Sequence, residues 1–169
     1  LAIDTVAING GGSNEPTGIL QTSGIGSVAL GTNGAAPTGA SIVNLIREVE
    51  IDNGDRGSLA FITTPEGAAK LRNTVKVSGT DSKMLLDDKA ELLGYPIITS
   101  SLVPSNLTKG TGSSLSGMIF GNFQDLLVAE WASLDVVFDP YTGSSTGAMR
   151  VTVFMDVDVA VRHAESFSA

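Results

Sequence analysis

The chain has 169 residues, 42% of them hydrophobic and only 17% charged, with a net charge of −8 and a sequence pI near 4.4. Such an apolar share supports the core of one domain or two small ones, and so thin a charge suits a surface partly covered by neighbours. Ten scattered basic residues form no patch able to displace counterions from phosphates, the absence of cysteine excludes disulfides and thiolate chemistry, and no apolar run reaches the roughly 18 residues of a membrane helix.

The opening LAIDTVAING carries an acid and no basic run, so it lacks the pattern of a signal peptide. A chain starting at Leu1 is expected to be a fragment or a processed product. Ala2, Ile3, Val6 and Ala7 repeat at helical spacing, and Asn9-Gly10 is a stop signal, so residues 1–8 read as the end of a helix. GGGSNEPTGIL then forms a turn-rich loop. Residues 21–40 read as a loop and hinge with one short strand at Ser27–Leu30.

Ile42, Leu45, Ile46 and Val49 occupy i, i+3, i+4 and i+7, which predicts a helix from Thr38 or Ser41 to Ile51. Burying those four side chains is worth roughly 6–12 kcal/mol before conformational entropy is subtracted. Leu59–Ile62 reads as a buried strand. Thr64-Pro65-Glu66 supplies a cap, a proline at the first helical position and an acid in the first turn, which opens a helix to about Asn73. Strands are predicted at Lys83–Leu86, Ile97–Ser100, Met118–Phe120, Leu126–Trp131 and Leu134–Phe138, with residues 101–117 an exposed loop and Asn122–Asp125 a turn. From Arg150 to Arg162 the chain alternates: Val151, Val153, Met155, Val157, Val159 and Val161 share one side. Period two over this length predicts a long half-buried strand that crosses from one lobe to another. Helices and strands interleave without a βαβ repeat, so the fold class is α+β with a mixed sheet.

Chemistry has few footholds. Gly10-Gly11-Gly12 lacks the GK[ST] ending of a phosphate loop and reads as a turn. Asp156 and Asp158 share a strand face and could pair as acid and base or hold a metal, but Arg150 and Arg162 flank them, which favours a solvated, salt-bridged face. Asp87-Asp88 and Asp52/Asp55 read as loop charges. His163 is the one histidine, and no GxSxG elbow accompanies it, so it reads as a surface or structural residue. Asn106-Leu107-Thr108 fits a glycosylation pattern that matters only in a eukaryotic secretory setting. Trp131 reads as core or as an interface anchor. No catalytic, cofactor-binding or metal-binding residue is assigned, and no cofactor is expected.

Four stretches in order resemble the major capsid proteins of tailed double-stranded DNA phages with the Hong Kong 97-type fold: AINGGGSNEPTGIL (Ala7–Leu20), LLGYPIITSSLVPSN (Leu92–Asn106), MIFGNFQDLLVAEWASLDVVFDPYT (Met118–Thr142) and MRVTVFMDVDVAVRHAESF (Met149–Phe167). The resemblance implies two lobes: a peripheral domain with a spine helix and a long-stranded sheet, and an axial domain gathered around fivefold and sixfold axes. It places residues 1–20 at the end of the spine helix and its following loop, 21–130 in the axial domain, and 131–169 in return strands to the peripheral domain. The family's N-terminal arm, extended loop and most of the spine helix have no counterpart here, and no crosslinking residue is carried over.

On that resemblance the chain is a non-enzymatic subunit of an icosahedral phage head, part of the virion, assembled in the bacterial host cytoplasm. Its partners are copies of itself, with scaffold, protease and portal implied by the family, and with no sequence-specific nucleic acid and no membrane. One alternative is an encapsulin-like nanocompartment shell. Another, from a different class, is a small hydrolase or ligand-binding domain, which would show a deep pocket converging on His163 or on Asp156 and Asp158.

Overall fold

The computed structural model describes residues 2–77, 79, 83–86 and 90–169. Leu1 and the pair Asp87-Asp88 lie outside the described residues. Helix α1 spans Ala2–Asn9, and the chain then doubles back through the glycine-rich turn. Helix α2 spans Gly39–Ile51, with Thr38 as its cap. The Thr38 hydroxyl accepts from the Ser41 N–H at 3.2 Å and the Ser41 hydroxyl accepts from the Thr38 N–H at 2.9 Å, a reciprocal capping box. At its far end Asn53 takes a φ of 56° and the Gly54 N–H donates to the Val49 carbonyl at 2.9 Å, so the last turn is closed by local chemistry. Strand β1 is Leu59–Thr63 and helix α3 is Pro65–Arg72. Thr64 caps α3 by accepting from the Gly67 N–H at 2.9 Å, and Lys70 and Arg72 sit in the last turn, where the helix dipole favours cations.

The remaining strands are β2 (Glu91–Leu92), β3 (Tyr95–Thr99), β4 (Leu107–Lys109), β5 (Gly112–Leu115), β6 (Met118–Asn122), β7 (Leu126–Asp139), β8 (Arg150–Val161) and β9 (Phe167–Ser168). Five of them form a sheet in the order β2-β3-β1-β6-β9. The β1–β3 pair is parallel and the others are antiparallel, which makes the sheet mixed, as the sequence predicts. One face carries Phe61, Ile97 and Phe120 against Ile42, Leu45 and Val49 of α2 and Ala68 and Leu71 of α3. Within it, the Phe61 and Phe120 rings lie 4.5 Å apart, and Tyr95 meets Phe120 edge-on at 5.0 Å. A second cluster joins Ile8 of α1, Ile19, Val103, Ile119 and Phe167. Both faces of the central strands are therefore covered.

Several expectations need correction. Lys83–Leu86 forms no strand; Met84 makes a single bridge to Val75. Ser27–Leu30 is not a strand either: Gly26 bridges Ser168, and Val28 donates to the Ala169 carbonyl at 2.9 Å. Residues 101–117 are not simply a loop, because β4 and β5 pair as a hairpin. Its glycines, serines and threonines carry no apolar alternation, its turn relies on positive φ at Gly110, and Ser114 within β5 also takes a positive φ. The hairpin is held from a distance, by the Thr111 N–H donating to Asn33 Oδ1 at 3.1 Å. The strands predicted at Leu126–Trp131 and Leu134–Phe138 are one strand, with a register shift between Trp131 and Asp135.

Candidate assembly surface

Strands β7 and β8 leave the sheet together as a two-stranded antiparallel ribbon. Pairs Val128–Val159, Glu130–Val157, Val136–Val153 and Phe138–Val151 share one face, since residues opposite each other in a ladder point the same way. Between Trp131–Asp156 and Asp135–Phe154, β7 carries three residues against one in β8. The insertion is therefore even, so the alternation keeps its phase past the bulge and, apart from Glu130, the named pairs on one face are apolar along the ribbon.

At its base this face is covered. Val159 is buried, Leu126 and Val161 pack against the cluster of Ile8, Ile19 and Phe167, and α1 lies against β8. Farther out no described residue covers it: Val128, Val136, Phe138, Val151, Val153 and Met155 are 41–64% exposed. On the opposite face Leu127, Trp131, Val137 and Phe154 are also bare, among Asp135, Asp156 and Asp158. Tyr141, in the turn at the tip, is 84% exposed. The half-buried strand expected at Arg150–Arg162 is thus overturned for most of its length, and so is the core reading of Trp131. Alternation reports which residues share a face; it does not report whether that face has a partner within the chain. Here the ribbon's second layer stops at α1.

Monomeric soluble proteins rarely leave so long an apolar stretch open to water. Each large aliphatic or aromatic side chain buried fully would contribute roughly 1.5–3 kcal/mol. The outer edges of β7 and β8 also pair with no other strand among the described residues, which leaves backbone groups open to a further strand. Chemically, then, the ribbon can associate. At its tip the Asp139 carboxylate accepts from the Tyr141 N–H at 2.8 Å, the Thr142 N–H at 3.2 Å and the Thr142 hydroxyl. The Thr142 hydroxyl first, then the two N–H groups, hold its pKa below the ordinary carboxylate value.

The residues weighed for chemistry are dispersed. Gly10 closes α1, its N–H donating to the Val6 carbonyl at 2.7 Å, and Gly11 bridges Thr17, so the glycine run is a turn. A Cβ on Gly10 would lie 2.2 Å from the Pro16 carbonyl oxygen, and one on Gly18 2.5 Å from that of Val6, which explains why this turn needs glycines. Asp156 is exposed opposite Trp131, and Asp158 lies opposite Ala129, its Oδ1 accepting from the Val159 N–H at 2.8 Å. His163 is exposed and starts a short 3-10 turn. Asp158 lines an open groove of about 450 Å³ with Glu15, Thr17, Thr22 and Ser23, whereas His163 and Asp156 do not line it. This groove is open rather than deep, and among the described residues it does not bring His163, Asp156 and Asp158 together as a hydrolase site would require. Asp52 and Asp55 are exposed after α2, and Asn106 is exposed just before β4.

The chain matches the phage capsid family over residues 1–169. It is 23% identical over 158 residues to the major capsid protein of Halomonas phage phiHAP-1, covering 94% of this chain and 24% of that protein. Among solved structures it resembles the capsid of an empty GTA particle computed with C5 symmetry, at a TM-score of 0.72 and 21% identity, over 99% of this chain and 60% of that one. It resembles the SrpI encapsulin of Synechococcus elongatus PCC 7942 at a TM-score of 0.57 and 16% identity, over 99% and 59% of the two chains. The chain thus spans about a quarter of the curated relative's length.

Proposed function

Because the chain belongs to the phage capsid family, we propose that it works as the folded C-terminal portion of a major capsid protein: a non-enzymatic structural subunit of an icosahedral phage head. Its fold is α+β and of the Hong Kong 97 type. The observation that carries the mechanism is the bare apolar face of β7 and β8. Repeated around rotation axes, heterologous contacts close into rings, and many weak contacts together hold a shell. The acidic balance suits a wall that encloses DNA without adhering to it.

Within that reading, residues 1–20 end the spine helix and its following loop, 21–130 form the axial domain and 131–169 the return strands of the peripheral domain. Partners are further copies of the chain, with scaffold, protease and portal acting during assembly in the host cytoplasm. An encapsulin-like shell is the second reading, and the likeness to the SrpI encapsulin favours it. It stands behind the phage reading, since the curated relative is a phage major capsid protein and the GTA capsid has the higher TM-score.

Native mass spectrometry of the chain over rising concentration tests the proposal. Pentamers, hexamers or larger closed rings are expected. A monomer throughout, with the ribbon bare, would overturn the claim that these surfaces drive assembly.

A further inference from the structure

The chain passes between sheet and ribbon twice, and both crossings fall side by side. β6 runs through the 3-10 turn Phe123–Asp125 into β7, and β8 returns through the 3-10 turn Ala164–Ser166 into β9. The antiparallel ladder is broken between the pair Gly121–Phe167 on the sheet and the pair Leu126–Val161 on the ribbon. A break in pairing at one level across two strands is where a ribbon would be free to swing.

Polar side chains fill that break. The Ser166 hydroxyl donates to Asp125 Oδ2 at 2.7 Å, and Asn122 Nδ2 donates to the same oxygen at 3.0 Å. The Arg162 N–H donates to the Asp125 carbonyl at 2.8 Å. Asn122 Oδ1 accepts from the N–H groups of Ser58 and Gln124, each at 3.2 Å, which ties the crossing to the start of β1. Beneath, the Phe123 and Phe167 rings meet edge-on at 5.6 Å. The space is full: a Cβ on Gly57, itself at a φ of 84°, would come 2.6 Å from Gln124 Oε1 and 2.8 Å from Asn122 Oδ1. Ser166 is 4% exposed and Asn122 5%, so a lost partner is not readily replaced by water.

We propose that Asp125, Ser166 and Asn122 form a clamp that fixes the angle between the sheet and the ribbon. They are positioning residues: the Asp125 carboxylate spans both crossings and leaves the ribbon one orientation. In a shell subunit that angle sets how the apolar face meets its neighbour. The clamp itself belongs to the single chain and does not depend on the shell reading.

The chain has no cysteine, so paired spin labels can be placed without background. Glu66→Cys on α3 and Arg150→Cys on β8 are exposed sites on opposite sides of the crossing, and Arg150 lies off the apolar face. With labelled chain diluted into unlabelled chain, electron–electron distance measurements should give one narrow distribution. Asp125→Ala and Ser166→Ala should each broaden it about twofold or more, and Asp125→Asn, which keeps an acceptor for Ser166, should restore part of the narrowing. If Asp125→Ala does not fold, Ser166→Ala decides. A folded Ser166→Ala chain with an unchanged distribution overturns the clamp. A Ser166→Ala chain that loses its sheet also overturns it, because the cluster would then hold the fold and not the angle. Loss of ring assembly with these distances intact would count against the shell reading alone.

Discussion

The Ser168 hydroxyl donates to the Leu45 carbonyl oxygen at 2.8 Å, joining the last strand to the middle of α2 across 123 residues of sequence. Leu45 faces the core, and Ser168 is fully buried between β6 and the bridge from Gly26. Ser168→Ala should lower stability by about 1 kcal/mol, and Phe167→Ala by about 3–5 kcal/mol because it opens the cluster with Ile19 and Ile119. Urea unfolding of the two variants checks the order; no loss in either would mean that this segment is held by its backbone alone.

Gly18 lies where the chain crosses the end of α1, its N–H donating to the Gly10 carbonyl at 2.9 Å. A methyl group there would meet the Val6 carbonyl and the N–H groups of Asn9 and Gly10, all backbone atoms that cannot step aside. Gly18→Ala should cost about 1–3 kcal/mol or more. A melting temperature equal to the unsubstituted chain's would contradict the packing of this turn.

Ser114 sits within β5 at a φ of 57°. The left-handed conformation costs an ordinary residue about 1–2 kcal/mol, and glycine adopts it freely while losing about 0.5–1 kcal/mol of chain entropy. Ser114→Gly should therefore leave stability equal or up to about 1 kcal/mol higher, and Ser114→Val should lower it. Thermal unfolding of the pair decides, and a more stable valine variant would contradict the left-handed backbone at Ser114.

What could be read in the sequence follows how local its causes are. Helices α2 and α3 were legible to within a residue or two, because Thr38 and Thr64 cap them from adjacent positions and Ile42, Leu45 and Val49 mark the buried stripe. The β4–β5 hairpin was not, since what holds it is Asn33, far away in the chain. Phe167–Ser168 gave no strand signal, being two residues paired through tertiary contact with β6 and with the chain at Gly26. The assembly surface was half legible: the shared face of Val151, Val153 and Val159 was plain, but only Val159 has a partner inside the chain. Bareness is a property of the fold around a strand, and the strand does not encode it.

Asp139 offers a test by pH. Its carboxyl pKa is held below the ordinary 3.8, first by the Thr142 hydroxyl and then by the N–H groups of Tyr141 and Thr142. A folded pKa below the unfolded one means that the tip's contribution is present above the ordinary carboxylate value and is lost as pH falls through the folded value. The Tyr141 and Thr142 amide signals should shift together with a midpoint below 3.8. Thr142→Val should move that midpoint upward. A wild-type midpoint at or above the ordinary value would contradict the turn.

The central claim is that the bare face of β7 and β8 drives association. Light scattering behind a sizing column, across a concentration series, tests it most directly when the chain is run beside a Phe138→Lys, Val153→Lys variant, since both positions lie on that face and are exposed. The account predicts a mass rising from the 17.3 kDa monomer to multimers, and a folded variant that stays monomeric over the same range. Multimers of equal size in both proteins, or a monomer in both, would contradict it.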